Sequence, residues 1–86
     1  MDIRQLEYFL AVAEEGLITK AAKQLHITQS PLSQQMIALE KELDAQLFQR
    51  NKKQIILTKA GLLLKRRAEQ ILSLTQNTRT EVHETA

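Results

Sequence analysis

Apolar residues recur every three or four positions through most of this 86-residue chain, which is the spacing of one face of an α-helix. In the first such stretch, from Ile3 to about Glu15, they are Ile3, Leu6, Phe9, Leu10 and Ala13. Asp2 is placed to cap this helix, and Gly16 can adopt the left-handed conformation that ends it. The pattern predicts a mainly helical fold.

A short second helix is predicted to end at Leu25 and to lead into a turn. Thr19 is expected to cap it, and its inner face is expected to consist of Ala21, Ala22 and Leu25. Residues 26–29 are expected to form the turn, with Ile27 buried to anchor it. Two small alanines allow helices to approach closely, as a tight helix-turn-helix requires.

Ser30 and Pro31 are expected to begin a third helix, the serine as its cap and the proline as its first residue. Asp44 is expected to end it in the left-handed conformation. The buried face is predicted from apolar residues spaced by four, three and four positions, namely Leu32, Met36, Leu39 and Leu43.

Residues 45–58 depart from the helical period. Residues 49–50 and 54–58 are predicted to form two short strands around a polar turn at residues 51–53. Leu47 and Phe48 would anchor this β-hairpin to the helices. The predicted fold is therefore mainly α, with three helices, a small hairpin and one further helix.

Thr58 is expected to cap that last helix, which would run from about Lys59 towards Glu84 and fray after Thr75, where the sequence becomes polar. Two apolar stripes run along it, more than one small domain can cover. We therefore expect the helix to project from the domain and to pair with a second copy. The residues expected at this dimer interface are Leu64, Ala68, Ile71 and Thr75.

Charge is segregated along the chain. Residues 16–39 and 45–68 contain no Asp or Glu, yet they hold nine of the twelve basic residues. A basic surface on a chain with a net charge of only +2 is typical of a nucleic-acid-binding module. Ordinary solvated charge is the alternative, and the charge pattern alone does not decide between them.

The third helix carries polar residues on the face opposite its apolar stripe. The third helix of the chain would be the second helix of the helix-turn-helix. In such a motif, the N-terminal side chains of the second helix reach base edges in the DNA major groove. Gln34 can bind adenine through two hydrogen bonds, and Ile37 can contact a thymine methyl group. The predicted base-reading residues are Ser30, Pro31, Ser33, Gln34 and Ile37.

A second set of residues suits contacts with the DNA backbone, which position a protein without specifying sequence. Near the helix ends these are Arg4, Thr19, Lys20, Lys23, Thr28 and Gln29. On the hairpin they are Arg50, Lys52 and Lys53, which are expected to reach the backbone or the minor groove.

Other functional classes find no support in the sequence. The chain has no cysteine, so disulfides are excluded and a reducing cytoplasm is the expected compartment. His26 and His83 are not spaced from each other or from carboxylates as metal ligands are, and Ser33 has no neighbouring general base that could activate it as a nucleophile. We expect no enzyme activity, no metal or cofactor in this segment, and no membrane partner. The competing hypothesis is a helical dimer that acts only as an interaction module, its basic residues serving solubility.

Five motifs in register carry a family resemblance: Gln5-Leu6-x-x-Phe9, Ala21-Ala22-x-x-Leu25, Gln29-Ser30-x-Leu32-Ser33-x-x-Met36-x-x-Leu39-Glu40, Leu47-Phe48-x-Arg50 and Leu57-Thr58-x-Ala60-Gly61. In order and spacing the chain closely resembles the N-terminal domain of LysR-type transcriptional regulators. The resemblance implies a winged helix-turn-helix over residues 1–58, with the helix-turn-helix at about 18–37 and the wing at about 48–58. It implies a linker helix for dimerisation over residues 59–86.

The resemblance also implies a function. It is that of a bacterial transcription factor that binds double-stranded DNA at a pseudo-palindromic site, as a homodimer through the linker helix. Residues matching Ser30, Pro31, Ser33 and Gln34 would face the major groove, and the residue matching Arg50 the minor groove. Family members continue into a two-lobed domain that binds a small-molecule effector and supports tetramers. This chain is therefore expected to be a DNA-binding fragment or a naturally truncated member.

Overall fold

A computed structural model describes residues 1–51 and 54–86 of the chain. Its elements follow the predicted order: α1 Ile3–Glu15, α2 Ile18–Leu25, α3 Gln29–Leu43, β1 Phe48–Arg50, β2 Ile55–Leu57 and α4 Lys59–Thr85. The mainly helical fold with one small hairpin, a winged helix-turn-helix followed by a long helix, is thereby confirmed.

Helix α1 begins and ends where local chemistry predicts. The Asp2 carboxylate accepts a hydrogen bond from the Gln5 amide at 2.8 Å, and the Gln5 side-chain oxygen accepts the Asp2 amide at 3.2 Å. Gly16 ends the helix at φ 73°, in the left-handed region. The reciprocal hydrogen bonds between Asp2 and Gln5 satisfy two backbone donors at the start of the helix that have no partners within it.

Helices α2 and α3 begin earlier than predicted. The carbonyl of Leu17 already accepts the Ala21 amide at 3.0 Å, so Thr19 lies inside α2 and the prediction that it caps the helix is wrong. Helix α3 begins at Gln29, and its cap is Thr28 without a side-chain hydrogen bond. Ser30 is therefore not a cap, and Pro31 is the third helical residue, still within the turn whose N–H groups lack intrahelical partners.

The turn between α2 and α3 is closed by left-handed backbone. His26 adopts φ 58° and donates its amide to the carbonyls of Ala22 and Lys23, and the Ile27 amide donates to Ala22 at 3.0 Å. Ile27 packs half-buried against the core. At the end of α3, Asp44 adopts φ 49°, which confirms the predicted left-handed stop.

The core lies among α1, α2, α3 and the base of the hairpin. The rings of Phe9 on α1 and Phe48 on β1 pack at a centroid distance of 5.4 Å. Leu32, Met36 and Leu39 are buried, as predicted. Leu43 is 37% exposed, contrary to prediction, because it lies at the end of α3 beyond the last turn that packs on the core.

The hairpin is antiparallel, with Phe48 opposite Leu57 and Arg50 opposite Ile55. Its second strand is fixed to the rest of the fold by the Ile55 amide, which donates to the Gly16 carbonyl at 2.8 Å. The two predicted strands are present, although each is three residues long and the first begins at Phe48.

Helix α4 is capped by Thr58, whose hydroxyl oxygen accepts the Gly61 amide at 3.0 Å. The helix continues for 27 residues to Thr85, so the predicted fraying after Thr75 is wrong. Threonine hydroxyls in this half bond to carbonyls four residues earlier, as Thr78 does to Leu74 at 2.7 Å, and so find partners within the helix. Helix α4 packs against α1. Among the described helices, none combines the length and hydrophobicity needed to cross a membrane.

Candidate nucleic-acid interface

Helix α3 is held by its apolar side and presents a polar side outwards. Leu32, Met36 and Leu39 are at most 2% exposed, which fixes the rotation of the helix about its axis. Ala21 and Ala22 of α2 are also buried, so the two helices of the motif are joined through small side chains. The outward face of α3 is therefore set by the core.

The predicted base-reading residues lie together on that face. Ser30, Pro31 and Gln34 are exposed, Ser33 is half-buried, and the Ile37 side chain is 46% exposed. From Gln29 to Leu39 the helix carries no charged residue. The face therefore offers hydroxyl and amide groups, which can donate or accept hydrogen bonds, and one apolar contact.

The predicted backbone-contacting residues on the helices are exposed as well. Thr19, Lys20 and Lys23 are exposed on α2, and Thr28 and Gln29 are exposed at the start of α3, where the first helical N–H groups point outwards. Arg4 is exposed on α1, whose N-terminal turn adjoins α3 through a hydrogen bond from Gln5 to Gln35 at 3.1 Å. Two helix ends and α2 therefore flank the polar face.

The hairpin lies at the other side of α3. A concave cleft of about 780 Å³ is bordered by Ile37 and Lys41 of α3 and by Phe48 and Ile55 of the hairpin. Arg50 is the last residue of β1. Its side chain, together with Lys52 and Lys53, lies outside the part of the chain that the structure describes, so their predicted role stays a prediction.

A carboxylate outside the predicted site residues joins α3 to the hairpin. The Glu40 Oε2 atom accepts the amide of Leu47 at 2.8 Å and that of Phe48 at 3.4 Å. One signal could have identified it, because Glu40 follows buried Met36 by four positions and so lies on the inward side of the helix. Its partner, seven residues away across a loop, has no signature in the periodicity.

The residues predicted for the dimer interface are buried or half-buried within the chain's own domain. Ala68 has no exposed surface, so the prediction that it contacts a second subunit is wrong. Leu64 packs against the core, and Ile71 and Thr75 are half-buried, with Thr75 lining a groove shared with Ile3 of α1. The close approach of α1 to α4 at a small side chain accounts for this burial.

Other leucines of α4 are exposed. Leu63 and Leu74 are 49% and 65% exposed. They are eleven residues apart, which is about 20° beyond three full helical turns, so they lie on one face. Leu62 is also exposed, about 120° round the helix from Leu74.

The described residues contain no cluster of His, Cys, Asp or Glu able to hold a metal ion.

Comparison with known proteins gives this arrangement a context. Residues 3–62 match the family model described as "Bacterial regulatory helix-turn-helix protein, lysR family". The chain is 51% identical over 85 residues to the HTH-type transcriptional regulator BsdA of Bacillus subtilis (strain 168), covering 98% of this chain but 29% of BsdA. It thus spans less than a third of the length of that relative.

Two solved structures superpose on nearly the whole chain. The crystal structure of the CbnR_DBD–DNA complex has a TM-score of 0.96 at 41% identity and covers 99% of this chain and 98% of that one. The crystal structure of the BenM_DBD/catB site 1 DNA complex has a TM-score of 0.94 at 38% identity and covers 99% and 96%. The four helices, the hairpin and the matched residues 3–62 together show that the chain belongs to the lysR family of bacterial regulatory helix-turn-helix proteins.

Proposed function

We propose that this chain binds double-stranded DNA sequence-specifically, as the DNA-binding part of a dimeric bacterial transcriptional regulator. One observation carries the proposal: α3 exposes an uncharged face, with the polar side chains of Ser30 and Gln34 beside the apolar Ile37, while its opposite side is buried in the core. A helix of this width fits the major groove, where hydroxyl and amide groups distinguish base pairs.

The surroundings of this face favour DNA over other partners. Lys20 and Lys23 on α2 and the open N-terminus of α3 are available to phosphates. Residues 16–39 and 45–68, which form α2, most of α3, the hairpin and the first part of α4, contain no carboxylate to repel a polyanion. Glu40, Glu42 and Asp44 lie between these two stretches, and the Glu40 carboxylate is engaged by backbone amides.

Dimerisation through α4 belongs to the same proposal, with a revised interface. Leu63 and Leu74 are exposed on one face of a helix of about 40 Å, with Arg67 and Gln70 between them, and a second copy would cover these leucines. Two copies related by a two-fold axis would present two α3 helices to a pseudo-palindromic site. The likeness of the chain to the CbnR and BenM domains, which were crystallised with DNA, supports the DNA-binding part of the proposal.

The remaining parts of the proposal concern the whole regulator. A small-molecule effector would bind a C-terminal domain outside these residues, and that domain would support tetramers. In this segment we expect no cofactor, no metal and no catalytic function, and we expect the regulator to work in the cytoplasm. The names of the relatives, HTH-type transcriptional regulators, favour a regulatory role for the whole protein.

The rival hypothesis is an interaction module that dimerises without binding DNA. Selection of duplexes from a random-sequence pool by the purified chain, followed by fluorescence-anisotropy titration, tests the two. We expect enrichment of one site with two-fold symmetric half-sites. A chain that enriches no sequence and binds no duplex at low salt would favour the rival.

A further inference from the structure

Glu40 lies at the junction of α3, which carries the predicted base-reading residues, with the hairpin and α4. Its carboxylate accepts two backbone amides, from Leu47 at 2.8 Å and Phe48 at 3.4 Å, immediately before and at the start of β1. Leu47 is 1% exposed, so its amide has little access to water if the carboxylate is removed. A buried donor without a partner is unfavourable, so this contact constrains the loop between α3 and the hairpin.

The same short segment is held from its other side by the start of α4. The Thr58 hydroxyl donates to the Gln46 carbonyl at 2.6 Å, and the Thr58 amide donates to the Leu47 carbonyl at 3.0 Å. The Gln46 side chain in turn donates to the Phe48 carbonyl at 3.0 Å. Residues 46–48 are thus fixed between α3 and α4, and Glu40 supplies the contact from α3.

We propose that Glu40 is a positioning residue for DNA recognition, which holds the base of the hairpin on α3 so that both engage DNA in one fixed geometry. The inference rests on the proposed function. It assigns Glu40 no contact with DNA, because its carboxylate is half-buried and occupied by the two amides.

The sign of the effect separates this role from simple electrostatics. Removing a carboxylate from a basic DNA-binding surface strengthens binding by reducing repulsion of the phosphates. A positioning role predicts the opposite, weaker binding, because the hairpin loses its fixed place. Glutamine retains an oxygen that can accept a hydrogen bond, although without the charge that strengthens it.

The experiment measures affinity for the duplex selected by the wild-type chain, using all 86 residues of the chain. We expect Glu40→Ala to weaken binding about tenfold and Glu40→Gln about threefold, since both lose the same charge but glutamine can restore part of the contact. Glu42→Ala is the matched control, because it removes a carboxylate two residues away on α3 that bonds to the N-terminal ammonium and not to the hairpin. It should bind as tightly as the wild type or more tightly.

A double-mutant cycle then tests whether the effect passes through the hairpin. In a background where Arg50, Lys52 and Lys53 are replaced by alanine, Glu40→Ala should change affinity less than about twofold. Hydrogen exchange should show faster exchange of the Leu47 and Phe48 amides while those of Phe9 and Val12 stay protected. If Glu40→Ala unfolds the chain, the affinity and the hydrogen-exchange measurements are made on Glu40→Gln instead.

Three results would overturn the inference: unchanged or tighter binding by both Glu40 variants, the full loss persisting in the background without hairpin charges, or unchanged exchange at Leu47. Failure of the wild-type chain itself to bind any duplex would instead overturn the proposed function, and this inference with it. The two failures are therefore distinguishable.

Discussion

The carbonyl oxygen of Leu47 lies so close to Gly61 that a β-carbon built on the glycine would stand 2.2 Å from it. The same carbonyl accepts the Thr58 amide, and the Gly61 amide donates to the Thr58 hydroxyl. The first turn of α4 therefore docks directly on the backbone that leads into the hairpin. Only a residue without a side chain allows this approach.

Gly61→Ala should destabilise the fold by about 3 kcal/mol, because the added methyl group meets backbone that cannot rotate away. Gly16→Ala is the matched control. Its backbone lies in the left-handed region at φ +73°, but nothing lies within 4 Å of the added carbon, so we expect a loss of about 1 kcal/mol. Urea unfolding measures both, and an equal or larger loss at Gly16 would contradict the close approach at Gly61.

The proposed dimer interface can be tested by substituting the exposed leucines Leu63 and Leu74 of α4. Replacing Leu63 and Leu74 together with glutamine should raise the dimer dissociation constant at least about 100-fold, since two leucines per subunit lose their apolar burial. Sedimentation equilibrium measures the constant, and circular dichroism should show unchanged helix content because both side chains are exposed.

Leu62→Gln serves as the control for the dimer, since Leu62 is 57% exposed but lies on another side of α4. It should leave the dimer intact. A dimer that survives the Leu63 and Leu74 substitutions, or one that dissociates with Leu62→Gln, would mean that a different surface forms the interface.

Gln34→Ala should reduce affinity for the selected site by about 1–3 kcal/mol and relax preference at one base pair. The physical reason is the loss of an amide able to make two hydrogen bonds to one base. Affinity for a random duplex should change little. Equal losses on selected and random duplexes would count against a base-reading role.

Lys20→Ala, unlike Gln34→Ala, should weaken DNA binding without changing sequence preference. Lys20 is exposed on α2 and its ammonium suits a phosphate, so its loss should weaken binding to selected and random duplexes alike. The slope of log affinity against log salt should fall by about 1. A loss confined to the selected duplex would show that Lys20 reads sequence rather than phosphate.

Local chemistry made much of the fold predictable. Asp2, Gly16, Asp44 and Thr58 end or begin helices as predicted, because capping depends on a residue and its immediate neighbours. The start of α3 is ambiguous because Thr28, Gln29 and Ser30 follow one another there. The start of α2 is not marked by a capping side chain at all, because its cap is Leu17, so Thr19 is a misleading signal. The outward face of α3 was predictable, since its buried stripe has a clear period.

Features that depend on tertiary contacts were not predictable from the sequence. Both apolar stripes of α4 show helical spacing, and periodicity does not say which one packs on α1. Ala68 lies in the inner stripe because the two helices approach closely, a property of the assembled domain. The Glu40 contact joins a helix to a loop across irregular chain, where no repeat pattern exists.

The central claim is most directly tested by comparing salt dependence on two duplexes of equal length, the selected site and a random sequence. We predict that log affinity falls linearly with log salt for both, and that the selected duplex binds at least about 1,000-fold more tightly at physiological salt. Equal affinity for both duplexes would contradict sequence recognition by α3, and affinity without salt dependence would contradict binding to the DNA backbone.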